Sequence, residues 1–228
     1  SHMQSKMGGK PVVIFVESEF NKGGISTYEP FDGYMADMMA RLHAGYPNAK
    51  LVLGFGNWDS GNWKNFDRAA AASDMVGIQG MRGSTRQAKI DMYTLYDGLL
   101  AGVKTLETTF PGKAIMLTDI AVSSYPEPEY LAVQNDVLAE VFNNLATLKS
   151  HGVQAMIYRS WNDSPNMNLA NYYGEAERHW GVAYSGSSLK PAASVWIDGV
   201  KAERASIGVT VTLTTTITTP TPSPAPSH

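Results

Sequence analysis

Apolar residues gather along this chain in short unbroken runs rather than in strict alternation. Runs of strand length recur at Pro11–Val16, Lys50–Phe55, Met75–Ile78, Ala114–Leu117 and Val153–Tyr158. A continuous apolar run implies burial on both faces, the condition of parallel strands with helices packed outside. Between the runs, apolar positions return at helical spacing. Phe31, Met35, Met38, Met39 and Leu42 predict a helix over Phe31–Ala44. Leu131, Leu138, Val141, Phe142, Leu145 and Leu148 predict one over Tyr130–Ser150, with Gly152 as its stop. A third, Tyr93–Thr108, carries two glycines that weaken it. The pattern is a βα array of about five units: an α/β fold, parallel and barrel-like, incomplete or shortened relative to a full (β/α) barrel.

Each run ends in polar or aromatic residues. The first is followed by Glu17, Glu19 and Asn21, the second by Asn57, Trp58 and Asp59, and the third by Gln79, Met81 and Arg82. After the fourth come Thr118, Asp119, Ser123, Ser124 and Tyr125, and after the fifth Arg159, Trp161, Asn162 and Asp163. Loops at the carboxyl ends of parallel strands converge, so chemistry collects there. Glu17 and Glu19 are two positions apart and share a face if their strand persists that far.

Composition narrows the chemistry. The 228 residues suit one α/β domain, and a formal net charge of -3 with no Lys/Arg-rich run argues against a nucleic-acid partner. No cysteine is present, so disulfides and thiolate metal sites are excluded, and the scattered histidines make no metal motif. No apolar run approaches a membrane span. Ser1-His2-Met3 reads as the scar of tag cleavage, which puts a leader at 1–9, the folded domain at 10–205 and a Thr/Pro/Ser-rich linker or tail at 206–228. Within that tail Val209, Val211 and Leu213 alternate with Thr, enough for a short strand.

The stretches SEFN (18–21), KAIMLTD (113–119), MIYRSWND (156–163) and WGVAYSGSSLKPAASVW (180–196), in that order, resemble the retaining (β/α)8-barrel glycoside hydrolases of the cellulase and β-mannanase type. The resemblance begins at that fold's fourth strand and runs to its eighth. It implies Glu19 as acid/base, Asp119 in the nucleophile's place (where the clan carries Glu), and Trp161 as a platform under the sugar. It also implies a secreted, endo-acting hydrolase of β-linked polysaccharide that needs no cofactor. Thr/Pro/Ser tracts like the tail resemble linkers to carbohydrate-binding modules, and a homodimer is one way to cover strand edges left open by missing units.

Hydrolysis of a glycoside asks for two carboxyl groups on opposite sides of the bond, closer for retention and wider for inversion, and both outcomes stay open. Glu17 competes with Glu19, and Glu177 is a reserve carboxylate whose simpler role is a loop ion pair with Arg178. Aromatic rings offer sugars flat apolar faces, while amides, acids and guanidinium groups read the hydroxyls. The expected substrate contacts are Asn21, Asn57, Trp58, Asp59, Gln79, Arg159, Trp161, Asp163 and Trp180, with Trp63, Tyr172 and Tyr173 close by. The competing reading is a non-catalytic carbohydrate-binding barrel that keeps such a cleft without catalysis.

Overall fold

The computed structural model describes residues 5–6, 8–17, 19–21, 24–168, 173–186 and 188–208, with the side chains of Glu17 and Ser26 excepted. The expected tail strand, Tyr172 and the side chain of the candidate acid Glu17 therefore lie outside the described residues.

Five strands, β1 (Val12–Glu17), β2 (Ala49–Phe55), β3 (Met75–Arg82), β4 (Ala114–Val122) and β5 (Val153–Tyr158), form one sheet in sequence order. Every neighbouring pair is parallel. The sheet curls into half of a barrel. Its convex face is covered by α1 (Glu29–Gly45), α2 (Asp67–Ala72), α3 (Lys89–Met92), α4 (Leu95–Thr109), α5 (Glu129–Asn143), α6 (Leu145–Ser150) and α7 (Pro191–Ser206). The main core lies between strands and helices, where Leu51, Leu53, Val76, Ile78, Ile115, Leu117 and Ile120 meet Met39, Leu99, Val103, Leu106, Val137 and Val141. Removing a side chain of this size from water contributes about 1.5–3 kcal/mol. Phe15, Val52, Met75, Met116 and Ala155 make a smaller cluster on the opposite face of the sheet.

Local sequence accounts for the helix ends. Pro30 lies in the first turn of α1, where its missing N–H costs no hydrogen bond. Asp32 in that helix caps another: its carboxylate accepts the backbone N–H groups of Ala69 (2.8 Å) and Arg68 (3.1 Å) in the first turn of α2. The single helix expected over Tyr130–Ser150 is two, because Asn144 (φ -109°, ψ 13°) leaves the helical region and turns its side-chain amide onto the Glu140 carbonyl at 2.9 Å.

The third and fourth strands run further than their apolar cores predict, to Arg82 and Val122. On β4 this happens through an irregularity. Ile78 pairs with Leu117, but the next residue, Gln79, pairs with Asp119, so β4 carries one extra residue, Thr118. β5 sees the same shift between Leu117 and Ile120. This is a β-bulge, and it resets which face the following side chains take.

Candidate active site

Simple alternation from Ile115 and Leu117, which face the helices, would send Asp119 to the same side. The bulge at Thr118 turns it to the concave face instead, while Ile120 returns to the main core and Ala121 packs with Tyr173, Ala176 and Trp180. β3 stays regular: Gly80 faces Leu95 and Leu99 of α4, and Gln79 and Met81 face the concavity. Gln79 and Asp119 therefore stand side by side on one surface.

Glu19 reaches that surface by a different route. Past β1 the chain folds across the end of β2. The Phe20 N–H donates to the Gly54 carbonyl at 3.0 Å, and the Asn21 side chain donates to the Gly56 carbonyl (3.0 Å) and accepts its N–H (2.8 Å). This places the Glu19 Oε1 within 2.8 Å of Gln79 Nε2, which donates to it. Asn21 itself is 3% exposed and its amide is used on backbone, so it builds the site rather than reading sugar hydroxyls.

Asp119 is held from the other side. Arg159, just past β5, donates through Nη1 to its Oδ2 at 2.6 Å, and also lies 3.8 Å from Met81 Sδ. Burial pushes the Asp119 carboxyl above its ordinary value, against the pull of Arg159. The nearby negative charges of Glu19 and Glu177 push the same way. Glu19, Gln79, Asp119, Arg159 and Glu177 thus form one electrostatically connected group.

Glu177 lies on a strap, the 3-10 turn Gly174–His179, that crosses the ends of β3 and β4. Its carboxylate accepts the Trp180 Nε1–H at 2.9 Å and the Tyr173 N–H at 3.2 Å, while Arg178 pairs with Glu175 at 3.0 Å. The expected Glu177–Arg178 pair is therefore replaced by a buried carboxylate satisfied by an indole and an amide. The strap is tied down by Ser123 Oγ donating to the Ala176 carbonyl (3.0 Å) and by the Ser124 N–H donating to the His179 carbonyl (3.1 Å).

Beneath the strap lies a charge cluster the sequence reading did not assemble. Lys190 has no side-chain exposure, and its ammonium donates to Asp163 (2.6 and 2.7 Å) and to Ser124 Oγ (2.8 Å), with Glu127 at 3.3 Å and the Tyr184 ring 5.0 Å away. Burial raises the Asp163 carboxyl despite the lysine. For Glu127, burial is outweighed by Ser124 and Lys190, which hold it below the ordinary range. Glu127, Asp163 and His179 bring ligand-type atoms within 4.8 Å of one another, yet the lysine already supplies the positive charge there. A clue was present in the sequence: Lys190 immediately precedes the first turn of α7, where a cation opposes the helix dipole and so needs another reason to be there.

The remaining candidates divide by position. Trp161 is 47% exposed and lines a groove of about 270 Å³ with Met156, Tyr158, Ser160 and Trp196 at the open edge of β5. Trp58 is 37% exposed with its ring over Gly56, and the Asp59 carboxylate accepts from Asn62 Nδ2 at 2.8 Å on each oxygen. Asn57 donates to the Gly98 carbonyl of α4 at 3.3 Å, away from Asp119. Trp63 and Trp180 are buried: Trp63 packs on Phe55 at 5.2 Å, and Trp180 meets Tyr173 edge-on at 5.1 Å. Trp196 packs on Phe142 and Tyr158. His43 and His151, at helix ends, bond Asp74 (2.7 Å) and Glu107 (2.8 Å).

No protein-family model and no curated protein sequence matches the chain. Solved structures do match in fold. A glycoside hydrolase family 5 mannosidase from Rhizomucor miehei superposes with TM-score 0.56 at 13% identity, covering 86% of this chain and 52% of its own. A family 17 β-1,3-glucanosyltransferase from the same organism gives TM-score 0.57 at 16% identity, covering 80% and 62%. The catalytic core of a xylanase A gives 0.52 at 16% identity, covering 74% and 54%. The chain spans a little over half the length of these structures. The resemblance read from the sequence is thereby met at the level of fold alone: five successive parallel βα units of (β/α)-barrel type.

Proposed function

We propose that this chain carries the catalytic carboxylates of a glycoside hydrolase acting on β-linked polysaccharide of the glucan or mannan type. The observation that carries the reading is the pairing of Glu19 and Asp119 on one concave surface through Gln79, with Arg159 behind Asp119. Glu19 donates the proton to the leaving oxygen. Asp119, paired with Arg159, attacks the anomeric carbon as its carboxylate or activates a water from the opposite side. Gln79 fixes the Glu19 carboxyl, so the proton sits where the glycosidic oxygen would lie. Glu177 adds negative charge that favours the positive, oxocarbenium-like sugar of the transition state.

Exposed rings at Trp161 and Trp58 suit the apolar faces of a glycan chain, and the Thr/Pro/Ser tail suits a protein working outside the cell. Release of reducing ends from β-glucan, cellulose and mannan, compared among the intact chain, Glu19→Gln and Asp119→Asn, tests the reading. Release that either substitution lowers by at least about a hundredfold supports it. Glycan binding with no release sinks it in favour of a binding barrel. The short Asp119–Arg159 ion pair is what favours that second reading, because it gives Asp119 a purely structural use.

A further inference from the structure

His179 ends the strap that carries Glu177, and carboxylates face its ring from three segments. Nδ1 lies 3.6 Å from Glu127 Oε1, in the loop after β4, and 3.9 Å from Asp163 Oδ2, in the loop after β5. Nε2 lies 3.7 Å from Glu175 Oε1 on the strap itself. These are ion-pair distances, too long for hydrogen bonds. Nδ1 is buried and has no hydrogen-bond partner, while the Tyr125 ring packs on the imidazole at 5.3 Å.

Two cations answer these three acids. Lys190, ahead of α7, donates to Asp163 at 2.6 Å and lies 3.3 Å from Glu127, and Arg178 pairs with Glu175 at 3.0 Å. Tyr184 adds its ring, 5.0 Å from the lysine ammonium. Three ionised carboxylates against two cations leave one negative charge, and it faces both ring nitrogens of His179. A neutral imidazole turns a lone pair toward one of these carboxylates, whereas an imidazolium presents a donor on each side and balances the charge. The strap's other fastenings, from Ser123 to the Ala176 carbonyl, Ser124 to the His179 carbonyl and the Ser164 N–H to the Arg178 carbonyl (3.0 Å), are neutral hydrogen bonds. The His179 ring adds one whose strength depends on a proton.

We propose that His179 is a pH-sensitive latch of the strap and thereby a positioning residue for Glu177. Protonation draws the ring onto Glu127, Asp163 and Glu175 and holds the strap down across the ends of β3 and β4. The extra hold is present while the ring is charged and is lost as pH rises through the range in which an imidazole gives up its proton. Glu177, whose charge reaches Asp119, moves with it. The consequence for catalysis rests on the hydrolase reading above; the latch itself does not.

Hydrogen exchange of the strap backbone tests this on the intact chain, on His179→Gln, which keeps an amide but cannot be charged, and on Glu175→Gln. Corrected for the intrinsic pH dependence of exchange, protection at 174–179 in the intact chain rises at least about fivefold from about pH 8 to about pH 5.5, while β3 stays level. His179→Gln loses the rise, and Glu175→Gln, which removes the surplus negative charge, shrinks it. Protection in the intact chain that does not change with pH overturns the proposal. So does a rise that persists in His179→Gln, which would assign the proton to Asp163, the other group there whose carboxyl burial raises. If His179→Gln does not fold, the rise in the intact chain and its reduction in Glu175→Gln still decide the matter. Reducing-end release is read separately: an inactive chain that keeps the rise sinks the hydrolase reading and leaves the latch standing.

Discussion

Gln79 and Asp119 face each other across β3 and β4 one residue beyond the point where β4 accommodates Thr118 as an extra residue. The bulge, more than the strand's end, aims the carboxylate. Without Thr118, Asp119 would follow Leu117 directly and pair with Gln79 in regular alternation, so its carboxylate would still face the concavity. A Thr118 deletion is therefore expected to keep measurable hydrolysis, as read by reducing-end release, with thermal melting reporting the cost to local packing. A deletion variant that folds but loses hydrolysis would show that the extra residue sets more than the face Asp119 takes.

Arg159 sets where Asp119 titrates. Burial already raises that carboxyl, and Arg159 opposes the rise. Arg159→Met should therefore move the acid limb of the pH–activity profile to higher pH. An unchanged acid limb would mean that Asp119 does not titrate in the active range.

The same shift bears on stability. A carboxyl whose folded pKa is raised penalises the native state once pH climbs above the ordinary value, and the penalty is complete above the raised one. Asp119→Asn should melt higher than the parent at pH 7, with the difference closing as pH falls below the ordinary aspartate value of about 3.9. A lower melting temperature at pH 7 would mean that the ion pair with Arg159 outweighs the burial penalty. The site would then be trading less stability for function than proposed.

Asp74 behaves in the opposite sense. Burial works against its charge, but Lys50, the Leu51 N–H and His43 outweigh it and bring the pKa down to about 2. Its contribution is present above the ordinary aspartate value and is lost as pH falls toward 2. Asp74→Asn should lower the melting temperature at pH 7 and make no difference near pH 2.

Lys190 holds the strap's foundation. Replacing it with Met leaves Asp163 and Glu127 facing each other in a buried site without their cation, which should cost about 3 kcal/mol or more in urea unfolding. Lys190→Arg should recover part of the loss. A neutral Lys190→Met would show that the cluster relaxes into solvent.

How much of this was legible in the sequence follows from which signals are local. The five strands announce themselves because residues buried on both faces cannot be polar, and the order of the short motifs carries the barrel likeness. Asp119 was named from motif position, yet its orientation was not readable, since counting by twos from Leu117 gives the wrong face and nothing in LTDI reports a bulge. Trp63 counts in the sequence as an aromatic close to the cleft because it follows a strand end; a turn of 3-10 helix tucks it against Phe55. Lys190, Asp163 and the Ser124–Glu127 loop come from three separate segments, and only the tertiary fold brings them together.

The central claim is that Glu19 and Asp119 act as a pair on one sugar. A double-substitution cycle measures this directly, with turnover on the responsive polysaccharide recorded for the intact chain, Glu19→Gln, Asp119→Asn and the combination. A catalytic pair predicts that each single change removes most of the activity and that the double variant is hardly slower than the worse single one. Multiplying losses, or a single variant that turns over at the parent rate, would contradict it.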